Sequence, residues 1–329
     1  MRTRIFALLT LILIFVVVGV QAQSSEEPPA EIRIGYQRTG VWPLLKARGI
    51  LEEAFPDVNI TWSVFPAGQQ LLEALNAGAI DIGITGDTPP IFAQAAGAPL
   101  VYVAVISGSG AGNAILVPED SPLQTVADLE GKTVAIQQAS SSHLLTVRAL
   151  EQAGISYNDI VPAFLPPSEA RAAFESGSVD AWTIWDPFRE AAIQELNAQV
   201  LVEGQDVSPS NSFIEATSDF VTNYPETLRT IIELVREWQA WIYDNPEEYA
   251  EVLAAETGLE VSVILGTLRN EVQHYRWMDD EAIESQQEVA DIFYNLGLIP
   301  EPLDISEVVW IGGENSPVEK AEATATPDA

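Results

Sequence analysis

The sequence predicts an α/β protein of two similar lobes, each a mostly parallel sheet with helices on both faces, and a ligand cleft between the lobes. Three observations carry this prediction. A long segment recurs in the second half of the chain, strand-type and helix-type stretches alternate within each copy, and helices begin at the carboxyl ends of strands.

The recurrence is plainest between residues 78–87, GAIDIGITGD, and residues 177–186, GSVDAWTIWD, where Gly, Asp and Asp stand at identical offsets. Upstream of each lies an amphipathic helical pattern, QQLLEALNA and EARAAFES, and before that a strand running into proline, ITWSVFPAG and IVPAFLPPS. Earlier still, EIRIGYQ followed by LLKARGILEEAF corresponds more loosely to KTVAIQQ followed by HLLTVRALEQAG. Each copy is therefore strand, helix, strand, helix, strand, helix, which calls for a parallel sheet covered on both faces.

Between the copies, VYVAVISGSGAGNAILVPEDSP reads as two strands joined by a glycine loop and followed by a crossover. GSGAGN is a turn rather than a phosphate loop, because the strand-type AILV follows where a helix is needed. After the second copy comes an extended passage, NSFIEATSDF, and then a helical region from about Pro225 to Leu298 with Gly258 and Gly297 as breakers. These helices are expected to pack back on the first lobe. Residues 31–117 and 212–312 then form lobe 1, and residues 118–211 form lobe 2.

Alternation along a strand places Val179, Ala181 and Thr183 on one face and Asp180, Trp182 and Ile184 on the other, with Trp185 at the carboxyl end. Asp186 suits an N-cap and Pro187 the first helical position, where a missing N–H costs nothing. Asp87 or Thr88 would cap the matching helix, opened by Pro89 and Pro90. In AIQQASSSHLL, one of Ser140, Ser141 or Ser142 would cap a helix beginning near His143. Sheets of this type bind ligands beyond the carboxyl ends of their strands. A helix N-terminus there offers unpaired N–H donors and about half a positive charge, so it attracts an anion without a lysine.

Composition fits such a mode. Among 329 residues the net charge is -33, two units more negative once Arg2 and Arg4 are removed, and such a surface repels nucleic acid and anionic lipid. Lysine occurs only at Lys46, Lys132 and Lys320, and there is no cysteine, which excludes disulfides, thiolate chemistry and a lipid-modified cysteine. The N-terminus pairs Arg2 and Arg4 with an apolar run over residues 5–20 and a small-residue site at Val20-Gln21-Ala22. Residues 1–22 are expected to be an export signal, leaving a soluble, extracytoplasmic protein that is not a lipoprotein. The stretch QSSEEPPAE and the acidic tail, residues 313–329, are expected to be disordered.

At this point the residues resemble a known family. GYQ, FPAGQQLLEALNAGAIDIG, GDTPPIFAQAAGAPLVYV, FLPPSEARAAFESGSVDAW and WDPF are similar to the aliphatic sulfonate-binding proteins, within the nitrate, sulfonate and taurine group of ABC-importer substrate-binding proteins. The resemblance covers about residues 31–300. It implies a type II periplasmic binding protein fold, closure of two lobes on a small anionic ligand such as an alkanesulfonate, and docking on a membrane permease. It also implies ligand positions at Gln37, at Gly86, Asp87 and Thr88, at Ser140, Ser141, Ser142 and His143, and at Trp182, Trp185 and Asp186. Relatives commonly carry Lys-Gly before the serine where this chain has Gln138 and Ala139, which removes a cation from near the site.

Each candidate also has a structural reading. Trp182 fits a hydrophobic core as well as a ligand wall, and Asp186 fits a helix cap as well as a partner for the ammonium of a zwitterionic sulfonate such as taurine. Asp87 carries the same ambiguity. His143, in a first helical turn, is expected to be neutral, with exposed helix surface as its alternative; His274 is expected to pack among the C-terminal helices. Catalysis has no support in spacing: there is no GxSxG, HExxH or Walker loop, and the adjacent acids Glu52-Glu53 and Asp279-Asp280 point apart on a helix as solvated faces. No enzyme activity, cofactor or metal is expected, and a monomer is. Rival readings are a binding protein for nitrate, taurine, bicarbonate or a pyrimidine vitamin precursor, and a cofactor-biosynthesis enzyme of the same fold.

Overall fold

Apolar periodicity switches between two and 3.6 along the chain, and the elements follow it. In the computed structural model, which describes residues 26–270 and 272–310, the first copy forms β1 (Glu31–Tyr36), α1 (Trp42–Arg48), α2 (Ile50–Ala54), β2 (Asn59–Val64), α3 (Gly68–Asn76), β3 (Ile82–Gly86) and α4 (Thr88–Ala95). Then come β4 (Leu100–Gly108) and β5 (Asn113–Val117). The second copy forms β6 (Thr133–Ile136), α5 (Ser141–Gln152), β7 (Val161–Phe164), α6 (Pro167–Glu175), β8 (Ala181–Trp185) and α7 (Phe188–Leu196). Next are β9 (Gln199–Glu203), β10 (Ser210–Thr217), α8 (Ser218–Asn223), α9 (Pro225–Asp244), α10 (Pro246–Thr257), α11 (Val261–Asn270), β11 (His274–Trp277) and α12 (Asp280–Asn295). The expected signal peptide and acidic tail lie outside the described residues.

Two sheets result, in the orders β11-β4-β10-β3-β1-β2 and β7-β6-β8-β5-β9. Within each, the three strands of a copy run parallel, with the first strand in the middle, and an antiparallel strand flanks the third: β10 beside β3 and β5 beside β8. The repeated aspartates explain the shared register. Asp81 Oδ2 accepts the Arg33 backbone N–H at 2.8 Å, and Asp180 Oδ2 accepts that of Thr133 at 2.8 Å. The same aspartates return their own N–H groups to the Arg33 and Thr133 carbonyls, each at 2.8 Å. Gly78 and Gly177, each at φ +68°, close α3 and α6 in the left-handed conformation that glycine adopts without strain.

The first sheet is covered on one face by α1, α2 and α8–α11 and on the other by α3, α4 and α12, with separate apolar cores. The second sheet likewise packs α5 on one face and α6 and α7 on the other. Trp42, Tyr36 and Ile34 are fully buried in the first core, and Ile136, Leu150 and Val134 in the second lobe.

Several expectations need correction. Val117 does not end lobe 1: β5 pairs with β8 and β9, so the chain crosses between sheets over residues 109–112 and returns between β9 and β10. The C-terminal region is not wholly helical, because β11 pairs antiparallel with β4. His274 opens that strand and is exposed rather than packed among helices. The stretch expected to be disordered after residue 22 includes Glu26, whose carboxylate accepts the backbone N–H groups of Glu226 and Thr227, both at 3.0 Å. A carboxylate at the start of α9 satisfies orphan donors and complements the helix dipole. Asp279 is not merely a solvated face, since it caps α12 by accepting from Ala282 N at 2.9 Å.

The two crossings touch each other. A Cβ on Gly204 would lie 2.4 Å from the Gly110 carbonyl oxygen and 2.8 Å from that of Asn113, so only glycine fits. Gly204→Ala is therefore expected to destabilise the protein by about 1–3 kcal/mol through overpacking of backbone on backbone. Urea unfolding of the two proteins side by side measures it.

Candidate ligand-binding site

A cavity of about 170 Å³ lies where the carboxyl ends of the parallel strands of both sheets face each other. From the first lobe it meets Gln37 and Thr39 after β1, Thr85 and Gly86 at the end of β3, and Pro89 in α4. The second lobe contributes Asn113, Ser140, Ser141, Trp185 and Asp186. Ser210 and Ser212 of β10 line it at the crossing, and α9 to α11 close it with Gln239, Tyr243, Tyr249 and Thr267, among others. Among the described residues the lining contains no lysine, arginine or histidine, and Asp186 is its one carboxylate.

Helix starts surround the cavity, but they are not equivalent. Ser140, in extended conformation, caps α5: its Oγ accepts from the His143 N–H at 3.4 Å and donates to the Gln137 carbonyl at 2.6 Å. The first turn of α5, with Ser141 at its head, thus presents backbone donors and a hydroxyl to the cavity. At α4 the helix opens Thr88-Pro89-Pro90, and the two prolines remove two of the amide donors that a helix start otherwise offers. At α7 the cap falls on Pro187 rather than Asp186, since the helix starts at Phe188, one residue later than expected. Asp186 still serves that helix, as its Oδ1 accepts the Glu190 N–H at 3.1 Å.

Six of the residues named from sequence, Gln37, Gly86, Ser140, Ser141, Trp185 and Asp186, come together at the cavity. The others do not line it. Trp182 is 1% exposed and packs on Phe174, with ring centroids 5.8 Å apart, as a core residue between the sheet and α6. Thr88 is fully buried and donates to Asp87 Oδ1 at 2.9 Å, and burial pushes the Asp87 carboxyl up to about 6. Ser142 is buried under α5, away from the cavity. His143 is buried rather than exposed: its Nδ1 accepts from the Ala139 N–H at 3.4 Å and its Nε2 meets the Tyr157 hydroxyl at 2.8 Å. Burial pushes this imidazole down to about 4, so it is neutral at pH 7; desolvation accounts for that shift.

Sequence reading missed the contributions of α9–α11. One signal was present: Gln239 interrupts the apolar stripe of Ile231, Val235 and Ile242 on α9, and it is 5% exposed where an apolar side chain is the rule. Thr39, Thr85, Asn113, Ser210 and Ser212 carry no such signal, because small polar residues at strand ends are ordinary turn chemistry.

The lobes touch on both sides of the cavity. Asn270 Nδ2, at the end of α11, donates at 3.0 Å both to Asp186 Oδ2 and to Glu190 Oε2 of the second lobe. A Cβ on Gly266 of α11 would sit 2.5 Å from Glu190 Oε1, so the absence of a side chain lets α7 approach. On the opposite side, the His143 ring lies 5.3 Å from that of Phe293, and Arg148 meets Glu288 of α12 at 3.8 Å. Asp186 spends both oxygens on α7 and α11, and burial raises it to about 6 against the favourable pull of Asn270.

Two α/β lobes that meet around a cavity at their strand ends, lined by neutral donors and one tryptophan, define a two-lobed solute-binding protein. The chain belongs to the NMT1-like family, whose profile matches residues 25–256. It is 39% identical to the alkanesulfonate-binding protein SsuA of Xanthomonas axonopodis pv. citri, solved bound to MOPS, with a TM-score of 0.82 over 86% of this chain and 99% of that one. It is 42% identical to the periplasmic aliphatic sulphonate binding protein SsuA of Escherichia coli, with a TM-score of 0.80 over 86% and 92% of the two chains. The taurine-binding periplasmic protein of Escherichia coli (strain K12) is 25% identical over 193 residues, 57% of this chain and 59% of that protein. The architecture is the type II periplasmic binding protein fold.

Asp186 makes folding pH-dependent. Well below pH 3.8 it is protonated in both folded and unfolded chains; between 3.8 and about 6 the unfolded chain ionises first, so stability falls as pH rises through that window. Asp186→Asn escapes this loss. Its unfolding free energy relative to the parent is expected to improve by on the order of 2 kcal/mol from pH 4 to pH 7, as read from urea titrations at both.

Proposed function

We propose that this chain is an extracytoplasmic substrate-binding protein that captures an aliphatic sulfonate between its lobes and delivers it to an ABC importer. One observation carries the reading: the cavity is lined by the start of α5, with Ser140 and Ser141, and by the indole of Trp185, and no cationic side chain among the described residues lines it. A sulfonate has an anionic end for the helix start and an apolar carbon for the indole. A cavity of about 170 Å³ suits a small molecule and leaves little room for a large aromatic one.

Gln37, Gly86, Ser140, Ser141 and Trp185 are the proposed ligand contacts, joined by Thr39, Thr85 and Asn113. Asp186 acts as the strut that holds α11, and a ligand ammonium would have to compete with the Glu190 N–H and Asn270 Nδ2 for its oxygens. This favours plain alkanesulfonates over taurine. The similarity to the two SsuA proteins supports the same ligand class. Binding rather than chemistry is supported by the likeness to the two SsuA binding proteins and by a lining that, among the described residues, holds no histidine, lysine or cysteine. Lobe closure around the ligand is the working step, and a monomer released outside the cytoplasmic membrane by cleavage near residue 22 performs it.

Calorimetry with ethanesulfonate, taurine and nitrate is expected to give one-site binding of the first and at least about tenfold weaker binding of taurine and nitrate. Trp185→Ala should weaken ethanesulfonate about tenfold through lost apolar contact, and Ser141→Ala about fivefold through a lost hydrogen bond. If every one of these anions leaves the melting temperature unchanged, the ligand assignment is wrong.

A further inference from the structure

Glu215 occupies a place that a sheet rarely gives to an acid. It sits on β10, the central antiparallel strand of the first sheet, between Gly83 of β3 and Tyr102 of β4, and it is fully buried. Its Oε1 lies 2.6 Å from Thr85 Oγ1, and Oε2 has no hydrogen-bond partner among the described residues. Thr85 lines the cavity. Thr85 Oγ1 is also 3.1 Å from the Gly86 carbonyl.

The groups around Glu215 offer it no cation. Tyr102 faces it from β4, and beyond Tyr102 stands Asp87 at the start of α4. Gln286 of α12 donates to the Tyr102 hydroxyl at 2.9 Å and to the Asp87 carbonyl at 2.6 Å. Glu73 on α3 and Asp219 on α8 are exposed, and Glu288 on α12 faces Arg148. A buried carboxyl group without a counter-ion keeps its proton, and burial raises that of Glu215 well above the usual range.

The proton's position decides what Thr85 does. An ionised Glu215 would accept the hydrogen bond from the threonine's only hydroxyl proton and leave Thr85 none to give a guest. A protonated Glu215 with its hydrogen on Oε1 donates to Thr85 Oγ1, and the threonine proton is then free to turn outward, to the Gly86 carbonyl or to a guest. A proton on Oε2 would have no acceptor and be buried unpaired, which is costly.

We propose that Glu215 is a positioning residue of the anion site: its carboxyl O–H donates to Thr85 Oγ1, so that the Thr85 hydroxyl donates in turn to the bound anion. The idea rests on the anion-binding reading above and adds a residue that does not touch the ligand. It also implies alkaline release. Affinity is full while Glu215 holds its proton and falls as pH rises through its ionisation, when Thr85 turns away and a second negative charge appears near the guest.

The test uses ethanesulfonate, whose charge does not change over the range, with calorimetry from about pH 7.5, where Asp87 and Asp186 are already ionised, to pH 9.5 on the mature protein and on Thr85→Val, Glu215→Leu and Glu215→Gln. Thr85→Val is expected to weaken binding about 10- to 100-fold, as for a lost hydrogen bond to a charged group. Glu215→Leu should weaken it severalfold. Glu215→Gln should rescue binding, because its amide N–H replaces the carboxyl donor, and it should remove the alkaline decline seen in the parent. Infrared difference spectra of the ligand-free parent against Glu215→Gln should show the carbonyl stretch of a protonated carboxylic acid. A carboxylate signature at pH 7, equal affinity of Glu215→Leu and the parent, or an alkaline decline that persists in Glu215→Gln would each overturn the proposal. If the parent binds no sulfonate, the functional reading fails, and the infrared comparison still decides whether Glu215 carries its proton.

Discussion

The fold depends on one repeated interaction: an aspartate at the start of the third strand of each half clasps the backbone of the first strand. Asp81 and Asp180 each receive an N–H and return one, so β1 is fixed against β3 and β6 against β8. A slip of one residue in either pairing would turn every core side chain outward. With register fixed at the amino ends, the carboxyl ends are fixed as well, and these hold the first lobe's Thr85 and Gly86 opposite the second lobe's Trp185 and Asp186. Arg33 adds a charged partner for Asp81 that Asp180 lacks, yet the backbone geometry is the same in both halves. The common element is therefore the carboxylate-to-amide bond.

This explains why the repeat was legible before the site was. Gly, Asp and Asp at equal offsets mark a helix end, a register clasp and a strand exit, three local tasks that sequence spacing encodes directly. The boundary between lobes was less legible. Nothing local distinguishes β5 as a strand of the second sheet, since an antiparallel neighbour across a glycine loop fits either sheet, and only pairing with β8 and β9 decides. The strand β11 hid for a related reason: its four residues gain their pairing from β4, a partner 169 positions away by the Arg276–Ser107 contact.

Within the site, sequence reading did best where a residue's task is local and least well where burial decides. Ser140 was one of three candidate caps, and its task is set by the turn it closes. Trp182 and His143 were ambiguous because alternation and helix position say which face a side chain takes, not what covers that face. Phe174 covers Trp182, and Tyr157, Phe164 and Phe293 surround His143. Gln239 was a readable signal among the cavity-lining residues of the C-terminal helices, a polar residue on an apolar stripe.

The twin halves have diverged at the strand ends that line the cavity, and the divergence puts a glycine in one half where the other has an indole. Gly86 and Trp185 occupy the same place in the repeat. Glycine in the first half leaves space for Ser141, whose Oγ would lie 3.4 Å from a Cβ built there, so the α5 start can close on the β3 end. Tryptophan in the second half fills the corresponding space and supplies the wall. The following aspartates diverge in the same way: Asp87 turns inward beside Thr88, while Asp186 ties α7 to α11 across the lobe boundary. In a chain of net charge -33, a lysine in the cavity would have many carboxylates competing for it, whereas amide and hydroxyl donors are fixed by backbone geometry and exchange no counter-ion. Neutral donors at one helix start are thus an arrangement by which the proposed site can hold an anion in so acidic a protein.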